Sequence, residues 1–184
     1  MRTFIAIELP EPILAAIAML SDRLRASHAR VTWVKPENMH LTLRFLGEID
    51  DENIRRLNTI LSDAYRCMIP FTLSVRGAGA FPNMRRPNVI WVGVESPGQS
   101  IEMAHLAAES AARAIGLPPE ERAFHPHLTL VRIKDPREAP PIIDCLDREN
   151  DFNAGDFTVK SVSLFSSRLT PHGPVYQRLQ EFIF

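Results

Sequence analysis

Apolar and polar positions alternate or recur along this chain with two periods, and the switches between them lay out a mixed architecture. Thr3 to Glu8 is a short apolar run that reads as a buried strand. From Pro12 the spacing changes, and Ile13, Ile17, Leu20 and Leu24 fall on one face of a helix. A short strand is expected at Val31 to Val34. After the Pro36-Glu37-Asn38 turn, a strand runs from His40 to Leu46 and stops at Gly47. The acidic start Asp50-Asp51-Glu52 opens a second helix reaching about Cys67. Phe71 to Val75 and Val89 to Val94 read as strands joined by an exposed loop, Ala80 to Asn88. Gln99 to Ile115 reads as a helix closed by Gly116 and Pro118-Pro119. Then come a strand at His127 to Ile133, a short helix at Ile142 to Glu149, a strand at Asp156 to Ser166 and a closing strand at Val175 to Phe182.

Composition narrows the picture. The 184 residues, 45% of them hydrophobic, suffice for one domain or two fused halves. Lys and Arg number 21 against 22 Asp and Glu, so no basic excess exists to hold long nucleic acid, and any contact with RNA should be local. Fifteen prolines lie between the apolar runs, as suits many strands and turns. The two cysteines, Cys67 and Cys145, form no CxxC pair and read as free thiols. Glu8, Pro10, Glu11 and Pro12 interrupt the first apolar stretch before a signal-like core can form, and no membrane-spanning run follows. A cytoplasmic monomer is the expectation.

One repetition outweighs these features. His40-Leu41-Thr42-Leu43 recurs as His127-Leu128-Thr129-Leu130, once in each half and in matching strands. Alternation puts each histidine on one face with its threonine, while the leucines anchor the other face. If two lobes face each other across a groove, two imidazoles and two hydroxyls converge. That set suits phosphoryl transfer: a base takes a proton from water, an acid protonates the leaving oxygen, and hydroxyls donate to the non-bridging oxygens. With imidazoles near pH 6.5, one ring can be neutral and the other protonated without a metal. An alternative is zinc chelation by His125 and His127, but no further ligand stands at recognisable spacing. His28, His105 and His172 read as structural or solvent-exposed.

With these residues in view, the chain resembles the 2H phosphoesterase superfamily, and within it the bacterial and archaeal RNA 2′,3′-cyclic phosphodiesterase branch. The resemblance spans nearly the whole chain. It includes Arg2-Thr3-Phe4-Ile5-Ala6, Trp33-Val34, Glu37-Asn38-Met39-His40, Arg44-Phe45-Leu46-Gly47, Gly77-x-Gly79-x-Phe81-Pro82, Trp91-Val92-Gly93, His125-Pro126-His127 and Gly173-Pro174-x-Tyr176. It implies an α+β fold over residues 1–184, a single domain with an internal duplication. Its two pseudo-symmetric lobes would each carry an antiparallel sheet facing a central cleft, with helices outside. It also implies hydrolysis of RNA 2′,3′-cyclic phosphate ends, or small cyclic nucleotides, to 2′-phosphomonoesters. His40 would be the general acid and His127 the general base, a division that sequence symmetry by itself leaves open. No cofactor and no metal are implied.

The resemblance further suggests Arg132, shortly after the second motif, as a phosphate partner. Strict alternation turns Arg132 away from the face of His127 unless the strand bulges, whereas Arg44 shares the face of His40 and competes for the role. Trp33, Phe81 and Tyr176 are candidates for stacking on a base, with core packing as their other reading, and Trp91 is a weaker one. Arg85 and Arg86 offer backbone contacts to longer RNA. Two other functions remain open: 2′-5′ joining of RNA ends by the reverse reaction, and RNA-end binding without catalysis.

Overall fold

The computed structural model describes residues 1–171 and 173–184; His172 lies outside the described residues. Among the described residues, nine strands form two antiparallel sheets with four α-helices packed against them. The strands are β1 (Arg2–Glu8), β2 (Thr32–Trp33), β3 (His40–Glu48), β4 (Phe71–Phe81), β5 (Val89–Glu95), β6 (His127–Arg132), β7 (Asn153–Val159), β8 (Ser161–Thr170) and β9 (Gly173–Ile183). The helices are α1 (Glu11–Arg25), α2 (Asp51–Tyr65), α3 (Ser100–Ala114) and α4 (Ala139–Leu146).

The expected α+β architecture is present, but the halves of the chain are woven together. One sheet has the order β3-β1-β8-β9, the other β2-β6-β5-β4-β7, so each takes strands from both halves. Apart from the added β2, the orders correspond: β3 to β6, β1 to β5, β8 to β4, β9 to β7. Helices α2 and α3 pack together against the first sheet, and α1 and α4 together on the side of the second.

Local chemistry explains the elements. Ile13, Ile17, Leu20 and Leu24 of α1 are all buried. The carboxylate of Asp50 caps α2 by accepting the Asn53 N–H at 2.8 Å, with Asp51 and Glu52 on the positive end of the helix dipole. Leu41, Leu43, Leu128 and Leu130 are at most 3% exposed, and each contributes about 1.5–3 kcal/mol of burial. These four leucines fix the register of both His-x-Thr strands, because a slip by one residue would bring the histidines into the core.

Two expectations need revision. The run from Asp156 to Ser166 is two strands in different sheets, broken at Lys160. Residues packed in the main core shift there from odd (Phe157, Val159) to even (Val162, Leu164), the phase change expected when a chain leaves one sheet for another. Strand β4 also continues through Gly77 and Gly79 to Phe81, shortening the expected loop. Gly77 sits at φ +67° on an irregular step in the pairing, a conformation glycine adopts at little cost.

Candidate active site

Each histidine motif carries the same bulge. Opposite β1 the register moves from Ala6↔Thr42 to Ile5↔Arg44, so Leu43 is the extra residue. Opposite β5 it moves from Trp91↔Thr129 to Ile90↔Val131, so Leu130 is extra. An extra residue reverses alternation beyond it. His40 and Thr42 therefore share their face with Phe45, and His127 and Thr129 share theirs with Arg132. The burial patterns agree: Leu43 with Arg44, and Leu130 with Val131, are adjacent pairs turned inward.

Arg132 thus stands on the face of His127, near enough that its charge adds to the lowering that burial imposes on the His127 pKa and partly offsets the rise that burial imposes on Tyr176. Tyr176 meets the ring of His40 edge-on at 5.2 Å. Strands β3 and β6 are in contact, so the two motifs are neighbours, and Tyr176 lines the cleft beside His40.

Arg44 does not reach that cleft. It is 8% exposed, its Nε lies 2.6 Å from Glu109 of α3, and its Nη2 donates to the Pro118 carbonyl at 2.6 Å. Nη1 donates to the Phe45 carbonyl and to Glu120. The bulge that brings Arg132 outward turns Arg44 inward, where it ties β3 to α3 and to the segment leading into β6. His105 adds to this brace: its Nδ1 is 2.9 Å from the Leu43 carbonyl and its ring stacks on Phe124 at 4.0 Å.

Trp33 is likewise no part of the rings around either histidine. It packs against the main core, with the Arg25 guanidinium of α1 4.3 Å above it. Phe81 does reach the site, edge-on to His127 at 5.0 Å. Around His40, Phe4 stacks at 4.6 Å and Phe165 lies beyond it. Phe4, Ala6 and Phe165 form an apolar cluster separate from the main core, with Tyr176 against it. Neither Phe4, which enters only through the family resemblance, nor Phe165 is among the candidate site residues, although both interrupt strands whose alternate residues already supply the core. Such a strand, apolar on both faces, is covered on both.

The imidazoles are oriented identically. His40 Nδ1 lies 2.9 Å from the Asn38 carbonyl, and His127 Nδ1 lies 2.6 Å from the His125 carbonyl. A carbonyl only accepts, so Nδ1 carries the hydrogen in each ring and Nε2 is left for other partners. The contribution of His125 is therefore its backbone. The hydroxyls of Thr42 and Thr129 make no hydrogen bond with any described residue. Burial lowers the pKa of His40 to about 4, against the opposing pull of the Asn38 carbonyl. His127 is lowered as well, by burial first and then by Arg132 and His125. Lowered pKa values favour the neutral form of both rings near pH 7, rather than one of each form. Among the described residues, no three His, Cys, Asp or Glu side chains gather as a metal site, and no helix is long and apolar enough to cross a membrane.

The pseudo-symmetry ends one residue from the motifs. Ala6 and Glu8 of β1 oppose Thr42 and His40, whereas Trp91 and Gly93 of β5 oppose Thr129 and His127. The Trp91 indole lies over Gly79, where a Cβ would come within 2.5 Å of the ring. Beside His40 there is instead a cavity of about 320 Å³, lined by Phe4, Glu8, Glu37, Met39, Phe165, Tyr176 and Arg178.

Two sheets presenting paired His-x-Thr strands define the fold of the 2H phosphoesterases. The profile of the LigT like Phosphoesterase family matches the chain twice, over residues 7–91 and 92–176, and the chain belongs to that family. An RNA 2′,3′-cyclic phosphodiesterase of Methanothermobacter thermautotrophicus is 35% identical over 98% of this chain and 97% of its own. The crystal structure of TT0787 of Thermus thermophilus superimposes with a TM-score of 0.83 at 31% identity, covering 100% of this chain and 97% of the other. That of E. coli LigT complexed with 3′-AMP gives 0.76 at 28%, with the same coverage.

Proposed function

We propose that this protein hydrolyses RNA 2′,3′-cyclic phosphate ends to 2′-phosphomonoesters by metal-independent acid and base catalysis. The observation that carries this reading is the matched pair of imidazoles, each locked by a carbonyl at Nδ1 so that Nε2 is the working nitrogen. Full-length similarity to enzymes named RNA 2′,3′-cyclic phosphodiesterase supports the substrate.

His127 Nε2 takes a proton from water, and the water oxygen attacks phosphorus in line with the 3′ oxygen. The P–O3′ bond breaks, and the 3′ oxygen takes the proton on His40 Nε2. Thr42 and Thr129 donate to the non-bridging oxygens, and Arg132 balances their charge. The break in symmetry favours this division of roles. The ribose is large and needs the open side, beside His40, whereas attacking water needs little room and suits the side filled by Trp91. An exposed thiol at Cys67 and an RNA substrate fit a cytoplasmic enzyme.

The test is product analysis on an RNA oligonucleotide ending in a 2′,3′-cyclic phosphate, with chelator present, for the unaltered protein, His40→Ala and His127→Ala. The expected result is a 2′-phosphate end made by the unaltered protein and by neither variant. Turnover that survives both substitutions, or that chelator abolishes, overturns the mechanism. Joined ends in place of hydrolysed ones point to the reverse reaction.

A further inference from the structure

We infer that the cavity beside His40 is a base-reading subsite that selects guanine at the RNA terminus, with Glu8 and Arg178 as the residues that read it. The inference rests on the proposed function, which puts the ribose of the terminal nucleotide on the His40 side and so sends its base into that cavity. The walls suit a planar ring. Phe4, Phe165 and Tyr176 supply aromatic surface, and about 320 Å³ lies in the size range of small-ligand pockets.

The polar groups on the rim define which ring. Glu8 Oε2 accepts from Ser163 Oγ at 3.1 Å and from Arg178 Nη1 at 2.9 Å. Glu8 Oε1 and Arg178 Nε and Nη2 take part in no hydrogen bond with the described residues. Arg178 Nη1 also lies 3.6 Å from Glu181, so the guanidinium is held from two sides. The site therefore sets a carboxylate acceptor next to a guanidinium donor, with a second carboxylate, Glu37, on the lining. Two carboxylates against one guanidinium repel a phosphate group and favour a neutral edge rich in N–H donors. Guanine presents N1–H and N2–H side by side with the O6 acceptor adjacent, so the two lone pairs of Glu8 Oε1 can accept both N–H groups while the Arg178 guanidinium donates to O6. Uracil presents a single N–H between two carbonyls and leaves part of the carboxylate unmatched.

The equivalent place on the other sheet cannot serve this purpose. The residue in register with His127 is Gly93, and the space next to it holds the Trp91 ring, so the reader is built once and on the leaving-group side.

The experiment compares kcat/KM for guanosine and uridine 2′,3′-cyclic phosphates in the unaltered protein, Glu8→Gln and Arg178→Gln. Binding of guanosine and uridine 2′-monophosphates is measured in parallel by calorimetry. A preference for guanosine of about tenfold or more is expected, the low end of what one good bidentate pair provides, and it should collapse in Glu8→Gln. Equal kcat/KM for the two substrates, or a preference that survives both substitutions, overturns the subsite. Tighter guanosine binding without any turnover would uphold the subsite and refute the hydrolytic function. Turnover without preference would do the reverse.

Discussion

Burial favours the neutral form of His40, yet the proposed reaction needs a proton on it, so anion binding must restore that proton. With a pKa of about 4, about 3% of His40 is protonated at pH 5.5 in the free protein. A single negative charge about 4 Å from the ring, at an effective dielectric of about 20, favours the imidazolium by roughly 4 kcal/mol. That lifts the group from about 4 to near 7, making it mostly protonated at pH 5.5 and about half protonated at neutrality. Sulfate is a suitable probe, since it mimics the phosphoryl group and does not titrate in this range. The assay follows the His40 ring Cε1–H signal by NMR from pH 3.5 to 8, with and without saturating sulfate. A midpoint near 4 in the free protein, moving up by at least about 2 pH units with sulfate, is expected. Folding is linked to the same group. The unfolded chain takes a proton near pH 6.5 that folded His40 refuses, so His40 costs the free protein about 3 kcal/mol of stability as pH falls from about 6.5 to 4. Sulfate should recover part of that loss. A free-protein midpoint above about 6, or a midpoint that saturating sulfate leaves unmoved, would refute the reasoning.

Two further changes test the scaffold. Arg44→Met leaves Glu109 without its cation; breaking a buried pair costs about 3–5 kcal/mol, and the partial exposure of Glu120 puts the expected loss near 3 kcal/mol in urea denaturation. Gly79→Ala places a methyl against the Trp91 ring at 2.5 Å, so about 1–3 kcal/mol of stability should be lost. Since Trp91 abuts Phe81, which abuts His127, its kcat should fall as well, in assays run where the variant remains folded.

What the sequence reveals depends on whether a feature is local. The motif pairs and their face are legible because alternation within four residues is set by the strand itself. The bulges are harder to see. In the second motif the adjacent apolar residues Leu130 and Val131 are the visible sign, since strict alternation would expose one of them. In the first motif the same position is Arg44, whose charge disguises an inward-facing residue, so parity counted without the bulge exchanges the places of Arg44 and Arg132. Trp33 misleads for another reason. An aromatic near a His-x-Thr motif is equally compatible with core and cleft, and its environment comes from α1, which no local pattern links to it. Glu8 and Arg178 are 170 residues apart and meet only because β8 lies between β1 and β9. Nothing local marks them as a pair.

A duplicated fold acting on cyclic phosphate faces a mismatch: two equivalent motifs must treat two inequivalent oxygens. The fold resolves it without altering the motifs. Both histidines keep the same tautomer, the same carbonyl partner two residues earlier and the same bulge directly after the threonine, since either role requires a free Nε2 held in place. The distinction lies in the neighbouring strands, where Ala6 and Glu8 on one side replace Trp91 and Gly93 on the other. Glu8 lines the cavity beside His40, whereas on the other side the Trp91 indole lies over Gly79 with its ring centre 6.5 Å from that of His127. In the proposed mechanism, which imidazole acts as acid is then a matter of what each side can admit. It follows that exchanging the roles would require rebuilding β1 and β5 rather than changing either histidine.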